Sequence, residues 1–366
     1  MVSKKIVFIC PSLSQPRCIK RVTSFINAGC SCEVYGYERG NYDVNKYPEE
    51  VNVTVLSKIE DGTNYASKLK LAYFDVKRII KKYKNTDTLF YSFSMQHSIV
   101  FRLFRVKYIY EISDILYAYP RFMRYLKLFK WIDKKLVRGS YKTVMTSGGF
   151  YDFYGLKSDK ITVIPNKVSP ILQSIGTRER LTITGEQLRF AFIGGIRYQS
   201  VANFAKIVGE KFPQHSFSFY GACSPAVKKM IDFDAIINKY DNVDYHGVFK
   251  SPYDLPAIYK NVDIVIACYD VNSLNERLAE PNKLYEALYF CRPIVVSDGI
   301  FLGNRVKELK CGYAIDASTE EKIINFIESL NIDDINTISE GEFNLPLSEM
   351  VDDTELLISK IVGYQH

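Results

Sequence analysis

The feature that most constrains this chain is a strand-and-helix alternation that runs through its first half, stops in a polar stretch, and then starts again. Short apolar runs suited to buried strands lie at 6–10, 32–37, 51–55, 88–93, 108–112, 143–146 and 161–164, with helical patterns at 19–28, 68–83 and 121–137. Gly29 stops the first helix. Such alternation predicts parallel βαβ units. Periodic apolar positions thin out over 174–185, so an inter-domain linker is expected across 168–186. Strands then resume at 190–193, 216–220, 243–246, 264–267, 294–297 and 313–315, with helices at 202–211, 227–240 and 284–290. A chain of 366 residues exceeds what one core usually supports. Two open α/β domains are therefore expected, over 1–170 and 186–350, with 351–366 a C-terminal helix packing back toward the first. Ligands of such sheets bind beyond the carboxyl ends of the strands, and a cleft between two domains is the default site.

The two halves differ in charge. Residues 1–170 hold 29 Lys and Arg against 14 Asp and Glu, whereas 171–366 hold 19 against 27, within an overall charge of +7. A basic half suits nucleic acid, an anionic membrane surface or an anionic ligand. Within it, Arg121, Arg124, Lys127 and Lys130 alternate with Phe122, Leu128, Phe129 and Trp131. That pattern fits a basic amphipathic helix lying on anionic lipid, or equally a core-packing helix with a solvated face. No nucleic-acid readout motif accompanies it, so nucleic acid is not an expected partner. No apolar run approaches a membrane span, and the run at 6–10 breaks at Pro11, too short for a signal-peptide core. A cytoplasmic location is expected. Cys10, Cys268 and Cys291 sit in or beside apolar runs, Cys30 and Cys32 lie one residue apart, and the histidines at 97, 215, 246 and 366 are scattered. Free thiols and no metal site are the expectation.

Two segments can carry chemistry. The first runs from Glu280-Pro-Asn-Lys-Leu-Tyr-Glu286 through Arg292-Pro293 into an apolar strand. Pro281 suits a helix start, and Lys283 and Glu286, three apart, share one face. A helix N-terminus with a nearby cation can receive phosphate, and a carboxylate one turn on can bind vicinal ribose hydroxyls. The bland alternative is an amphipathic helix whose Lys and Glu face solvent. The second segment, Phe190-Ala-Phe-Ile-Gly-Gly-Ile-Arg197, runs an apolar strand into Gly194-Gly195. Such a turn lets a ligand approach the backbone closely, although a plain tight turn reads the same way.

The segment around Glu286 resembles the donor-binding helix of retaining GT-B glycosyltransferases, specifically family 4-like proteins of bacterial polysaccharide assembly. The resemblance implies an α/β GT-B fold, two Rossmann-like domains facing across a cleft, and Glu286 as the ribose ligand. The family's motif has a second glutamate eight places earlier, where this chain has Leu278, flanked by Glu276 and Glu280. Arg197 matches a family arginine that neutralises the departing diphosphate. The family lysine five places on falls at Ala202, so Lys283 is the candidate replacement. Asn282 and Leu284 lie on the same helix, Tyr220 and Gly221 would line the base pocket, and Gly247 would form its floor. His246 is read as a packed strand-end residue.

In the first half, Arg17 falls in the segment matching the family's first loop, and Asp114 at a strand end faces the acceptor or caps the next helix. Asn166 and Lys167 are read as shaping a hinge. The implied activity is transfer of a hexose-type sugar from UDP or GDP to an acceptor hydroxyl with retention of configuration, with Arg197, Lys283 and Asp114 as the catalytic residues. The acceptor would be a glycan or lipid-linked sugar at the inner face of the cell membrane, touched by Arg17, Arg121, Arg124, Lys127, Lys130 and Trp131. Cations and N–H dipoles would serve in place of a metal, and no cofactor is expected. Domain closure would exclude water. A sugar-nucleotide epimerase and a non-catalytic donor-binding subunit are the rival readings. A nicotinamide enzyme is disfavoured, since no strand leads into Gly-x-Gly-x-x-Gly.

Overall fold

A computed structural model describes residues 5–39, 47–60, 64–118 and 120–362, apart from the side chains of Tyr65, Pro120 and Arg121. The chain divides into two compact units, one of residues 1–165 with 353–366 and the other of 166–352.

The first unit is built on seven strands: β1 (Lys5–Cys10), β2 (Ser31–Glu38), β3 (Asn52–Lys58), β4 (Thr88–Ser92), β5 (Tyr108–Ile112), β6 (Lys142–Met145) and β7 (Ile161–Val163). Their order is β3-β2-β1-β4-β5-β6-β7, and every pair is parallel. β1 is apolar from Ile6 to Cys10 because both faces are covered, and those five residues are fully buried. Helix Pro16–Asn27 starts with proline in its first turn and turns Cys18, Val22 and Phe25 inward. Helix Thr354–Val362 returns to this unit, where Leu357, Ile358 and Ile361 join the core around Val22 and Phe25.

The second unit carries β8 (Arg189–Ile193), β9 (Ser216–Tyr220), β10 (Val243–Tyr245), β11 (Ile264–Ala267), β12 (Ile294–Ser297) and β13 (Gly312–Ile315). Their order is β10-β9-β8-β11-β12-β13, again wholly parallel. This is the doubly wound order with a topological switch between β8 and β11, where the chain crosses from one side of the sheet to the other and opens a crevice.

Three expectations differ. The helix expected at 121–137 is a 3-10 segment, Pro120–Tyr125, followed by an α-helix, Leu126–Gly139. Buried Asp133 accepts hydrogen bonds from Tyr110, Tyr117 and Tyr154, which ties the α-helix to the sheet and to a preceding turn. The helix expected at 227–240 is two, Pro225–Met230 and Phe233–Lys239, separated at Asp232 with φ +52°. The expected linker is fastened to the second unit. The Leu181 amide donates to Ser339 Oγ at 2.8 Å, the Ile183 amide to Asn336 Oδ1 at 2.9 Å, and Arg178 to the carbonyl of Leu345 at 3.2 Å. These partners lie more than 150 residues on, so no local periodicity announces them. Helices Met95–Leu103 and Gly148–Tyr154, not expected from pattern, are capped by Ser94 and Ser147.

All eight cysteines are free. Among the described residues no helix is long and apolar enough to cross a membrane.

Candidate functional site

Three glycines end three neighbouring strands of the second unit at the same level. Gly194 follows β8 with φ +137°, Gly221 follows β9 with φ +136°, and Gly247 follows β10 with φ +76°. The Gly194 amide donates to the Tyr220 carbonyl and the Gly221 amide to the Gly247 carbonyl, each at 2.7 Å. A Cβ on Gly221 would overlap the carbonyl of Gly194. Glycine is therefore required by both dihedral and space. Gly195, next in the turn, is exposed and has open space around it.

Helix Asn282–Phe290 brings the charged groups to this rim. Pro281 is its N-cap rather than its first residue. Lys283 is buried, and its Nζ fills the space where a Cβ on Gly194 would stand. The ammonium lies 4.9 Å from the Phe192 ring centroid and 5.9 Å from that of Tyr269. Burial lowers the Lys283 pKa to about 8, the Glu286 carboxylate opposes that, and Arg197 lowers it further. Lys283, Glu286 and Arg197 thus form one electrostatic group. Arg197 is exposed, its Nε donating to the Tyr198 hydroxyl at 2.9 Å. Tyr198 in turn stacks on Tyr269 at 4.3 Å between centroids. Ala202, where the family lysine falls, is fully buried in helix Gln199–Lys211.

Glu286 is buried in its own unit, accepting from Tyr259 at 3.3 Å and from Asn282 Nδ2 at 2.5 Å. Those bonds fix the orientation of the carboxylate. Asn282 is thereby occupied in orienting Glu286. Leu284 differs from its expected role: its side chain is fully buried in the core and its amide bonds the Pro281 carbonyl at 3.2 Å. Tyr220, half-buried, stacks on His246 at 4.4 Å with 9° between planes, so the histidine is exposed at the strand ends rather than packed. Of the carboxylates flanking Leu278, Glu280 accepts from Tyr285 and from Arg305 at 3.2 Å, so it is a structural anchor. Tyr198, Tyr259 and Tyr269 were not singled out from the sequence, where 27 tyrosines offer no local contrast.

In the first unit, Arg17 and Asp114 are paired at 3.8 Å, and Arg17 Nε lies 3.7 Å from Glu111 Oε1. Arg21 Nε meets Glu111 Oε2 at 2.8 Å, where Tyr91 also donates. Arg17 therefore sits half-buried in an ion network with Glu111 and Asp114. Burial alone would raise the Glu111 carboxyl, but Arg21, Arg17 and the Tyr91 hydroxyl hold it below the usual carboxylate range. Arg124, Lys127 and Trp131 are exposed, as are Leu128 at 54% and Tyr125 at 43%. Lys130 instead lies over the Phe153 ring at 3.9 Å, half-buried. The Arg121 side chain lies outside the described residues. Lys167, expected at a hinge, donates to the Ser348 carbonyl within the second unit.

Two parallel-sheet α/β units of seven and six strands, matched over the full chain by known structures, define the GT-B fold. Among those structures is sucrose-phosphate synthase from Thermosynechococcus elongatus, with a TM-score of 0.75, 12% identity and 98% of each chain covered. HepE of Anabaena, solved with UDP and glucose, matches with a TM-score of 0.70, 14% identity and 98% of each chain covered. A putative UDP-N-acetylglucosamine 2-epimerase from Listeria monocytogenes matches with a TM-score of 0.62 and 11% identity, over 99% of this chain and 96% of that one. No protein-family model matches the chain, and no curated protein matches it by sequence.

Proposed function

We propose that this protein is a nucleotide-sugar-dependent glycosyltransferase that moves a hexose-type sugar from UDP or GDP to an acceptor hydroxyl with retention of configuration. The observation that carries this reading is the Lys283 ammonium seated over Gly194 at the sheet's switch point, coupled to Arg197 and Glu286. A diphosphate approaching the Gly194-Gly195 turn meets a cation there. When the bond from the anomeric carbon to the diphosphate breaks, its electron pair stays on the phosphate oxygen, and Lys283 and Arg197 stabilise that charge as an oxyanion hole does. The acceptor oxygen bonds the anomeric carbon on the face the diphosphate leaves, which retains configuration, and its proton passes to the departing phosphate oxygen, with Asp114 assigned to orient the hydroxyl. Glu286 is assigned to receive the ribose hydroxyls. In this reading the paired cations do the work a metal would otherwise do.

HepE, solved with UDP and glucose, supports the donor class through likeness of fold. The exposed Leu128, Trp131, Arg124 and Lys127 support an acceptor that is lipid-linked or part of a growing glycan at an anionic membrane. Likeness to the Listeria epimerase favours a second reading, a sugar-nucleotide epimerase. Thermal-shift measurements with UDP- and GDP-sugars test the donor assignment. The parent protein should be stabilised by one of them, and Glu286→Ala should lose that shift. No stabilisation of the parent by any nucleotide sugar sinks the assignment. Epimerised nucleotide sugar formed without an acceptor would select the second reading.

A further inference from the structure

The helix that follows the Gly194-Gly195 turn, Gln199–Lys211, is thirteen residues long, and its N-cap, Tyr198, makes no capping bond with its own side chain. The amides of its first turn are met from another strand. Asp270, three residues beyond β11, accepts from the Gln199 amide at 3.1 Å on Oδ2 and from the Ser200 amide at 2.9 Å on Oδ1. The Ser200 hydroxyl donates to the Cys268 carbonyl, and the Tyr198 ring stacks on that of Tyr269 with 27° between planes. Residues 198–200 are thus tied one by one to residues 268–270. β8 and β11, which lead into the two segments, are neighbours at the switch point, so the ties cross the crevice in which ligands of such sheets bind.

A helix N-terminus attracts anions because its first amides are unpaired and its dipole is positive there. Asp270 answers both from within the chain. A phosphate therefore gains little from this helix and is left to the Lys283 ammonium over Gly194 and to Arg197. The same carboxylate governs where Arg197 stands. Arg197 is exposed, and an exposed arginine on a loop has many rotamers of similar energy. Its backbone is bracketed by the Ile196 amide, which donates to the Ala222 carbonyl at 2.9 Å, and by the two amides that Asp270 holds. Its Nε donates to the Tyr198 hydroxyl, and its guanidinium carbon lies 5.0 Å from the centroid of that ring. Tyr269, on which the Tyr198 ring rests, is also the ring 5.9 Å from Lys283 Nζ. One segment of three residues therefore borders both cations.

We propose that Asp270 is a positioning residue that holds Arg197 in place for the departing diphosphate. This assignment rests on the nucleotide-sugar reading above and deepens it. Asp270 acts through the amides it binds. Its two oxygens fix residues 199 and 200, the fixed turn places the Tyr198 ring, and that ring carries the guanidinium. Arg197 then meets the diphosphate without first giving up rotamer freedom, which is where a held cation gains over a loose one.

Isothermal titration with UDP, the leaving group of a UDP-sugar, tests this through a double-mutant cycle. GDP takes its place if the thermal-shift series selects guanine. Arg197→Ala should weaken UDP binding by about tenfold and Asp270→Ala by about fivefold. The two together should bind no more weakly than Arg197→Ala alone, because a residue that acts only through Arg197 then has nothing left to position. Asp270→Asn, which keeps one acceptor oxygen, should lose less than Asp270→Ala, and it replaces that variant in the cycle if the alanine form does not fold. Losses that add, or an Asp270 variant in the cycle that binds UDP as the parent does, overturn the assignment. So does an Arg197→Ala protein of unchanged affinity. A role confined to capping the helix would lower the melting temperature of Asp270→Ala and leave UDP affinity untouched, which again overturns it. Failure of the parent to bind UDP or GDP overturns the nucleotide-sugar reading itself, and that outcome is visible before any variant is made.

Discussion

The Nζ of Lys283 occupies the volume in which a Cβ on Gly194 would stand, so a side chain from one helix and a missing side chain on one strand end form a single feature. The ammonium is held there by the faces of Phe192 and Tyr269 and by the Glu286 carboxylate one turn along.

Substituting the two glycines should separate flexible from rigid crowding. Both sit at φ values that a side chain rarely adopts, which costs roughly 1–3 kcal/mol apiece. At Gly221 the added carbon meets the backbone carbonyl of Gly194, whereas at Gly194 it meets only the end of a lysine. Gly221→Ala should therefore lose more stability in urea denaturation than Gly194→Ala. Gly194→Ala should lose nucleotide-sugar binding because Lys283 is displaced. The reverse ranking in urea would mean that the backbone yields more easily than the lysine.

Lys283 should impose a pH dependence. Its folded pKa is about 8 against an ordinary 10.5. Between those values the unfolded chain holds a proton that the folded protein has released, so unfolding free energy should rise with pH across that window. Binding has the opposite trend. The charged form receives the diphosphate, so nucleotide-sugar affinity should fall as pH rises through about 8. Lys283→Met should remove both dependences, and an unchanged affinity profile in that variant would place the titrating group elsewhere.

Glu111 should govern acid stability in the first unit. Its carboxyl is held below 4.5 by Arg21, Arg17 and Tyr91 despite burial. A depressed pKa contributes stability that is present above the unfolded value and lost as pH falls through the folded one. Glu111→Gln leaves Arg21 buried without its counter-charge and should cost about 3–5 kcal/mol at neutral pH. Chemical denaturation from pH 7 to pH 3 should show a shallower acid decline in this variant than in the parent.

The exposed face of helix Leu126–Gly139 should bind anionic lipid. Asp133 turns inward to three tyrosines, leaving Leu128 and Trp131 outward at 54% and 55% exposure beside Lys127 and Lys135. Lys135 lies 3.8 Å from the Trp131 ring centroid. In vesicle co-sedimentation the protein should pellet with phosphatidylglycerol-containing vesicles and not with phosphatidylcholine alone, less so at high salt. Leu128→Ala with Trp131→Ala should weaken that by about tenfold. Equal pelleting by the variant would remove this face from the account.

What the sequence determined by itself follows from period and from local chemistry. Runs such as those at 108–112, 264–267 and 294–297 became strands with unchanged bounds, because a strand buried on both faces reads as a nearly continuous apolar run. Gly194, Arg197, Lys283 and Glu286 were legible because glycine's dihedral freedom and a lysine one helical turn from a glutamate are local properties. Tertiary structure decided the rest. That Lys283 reaches Gly194 across nearly ninety residues depends on β8 and β11 lying side by side at the switch point. That Arg17 is a half-buried ion-pair partner depends on Glu111, near the end of another strand. Periodicity reports which face of an element is buried. Only the folded chain determines which distant group fills the space in front of it.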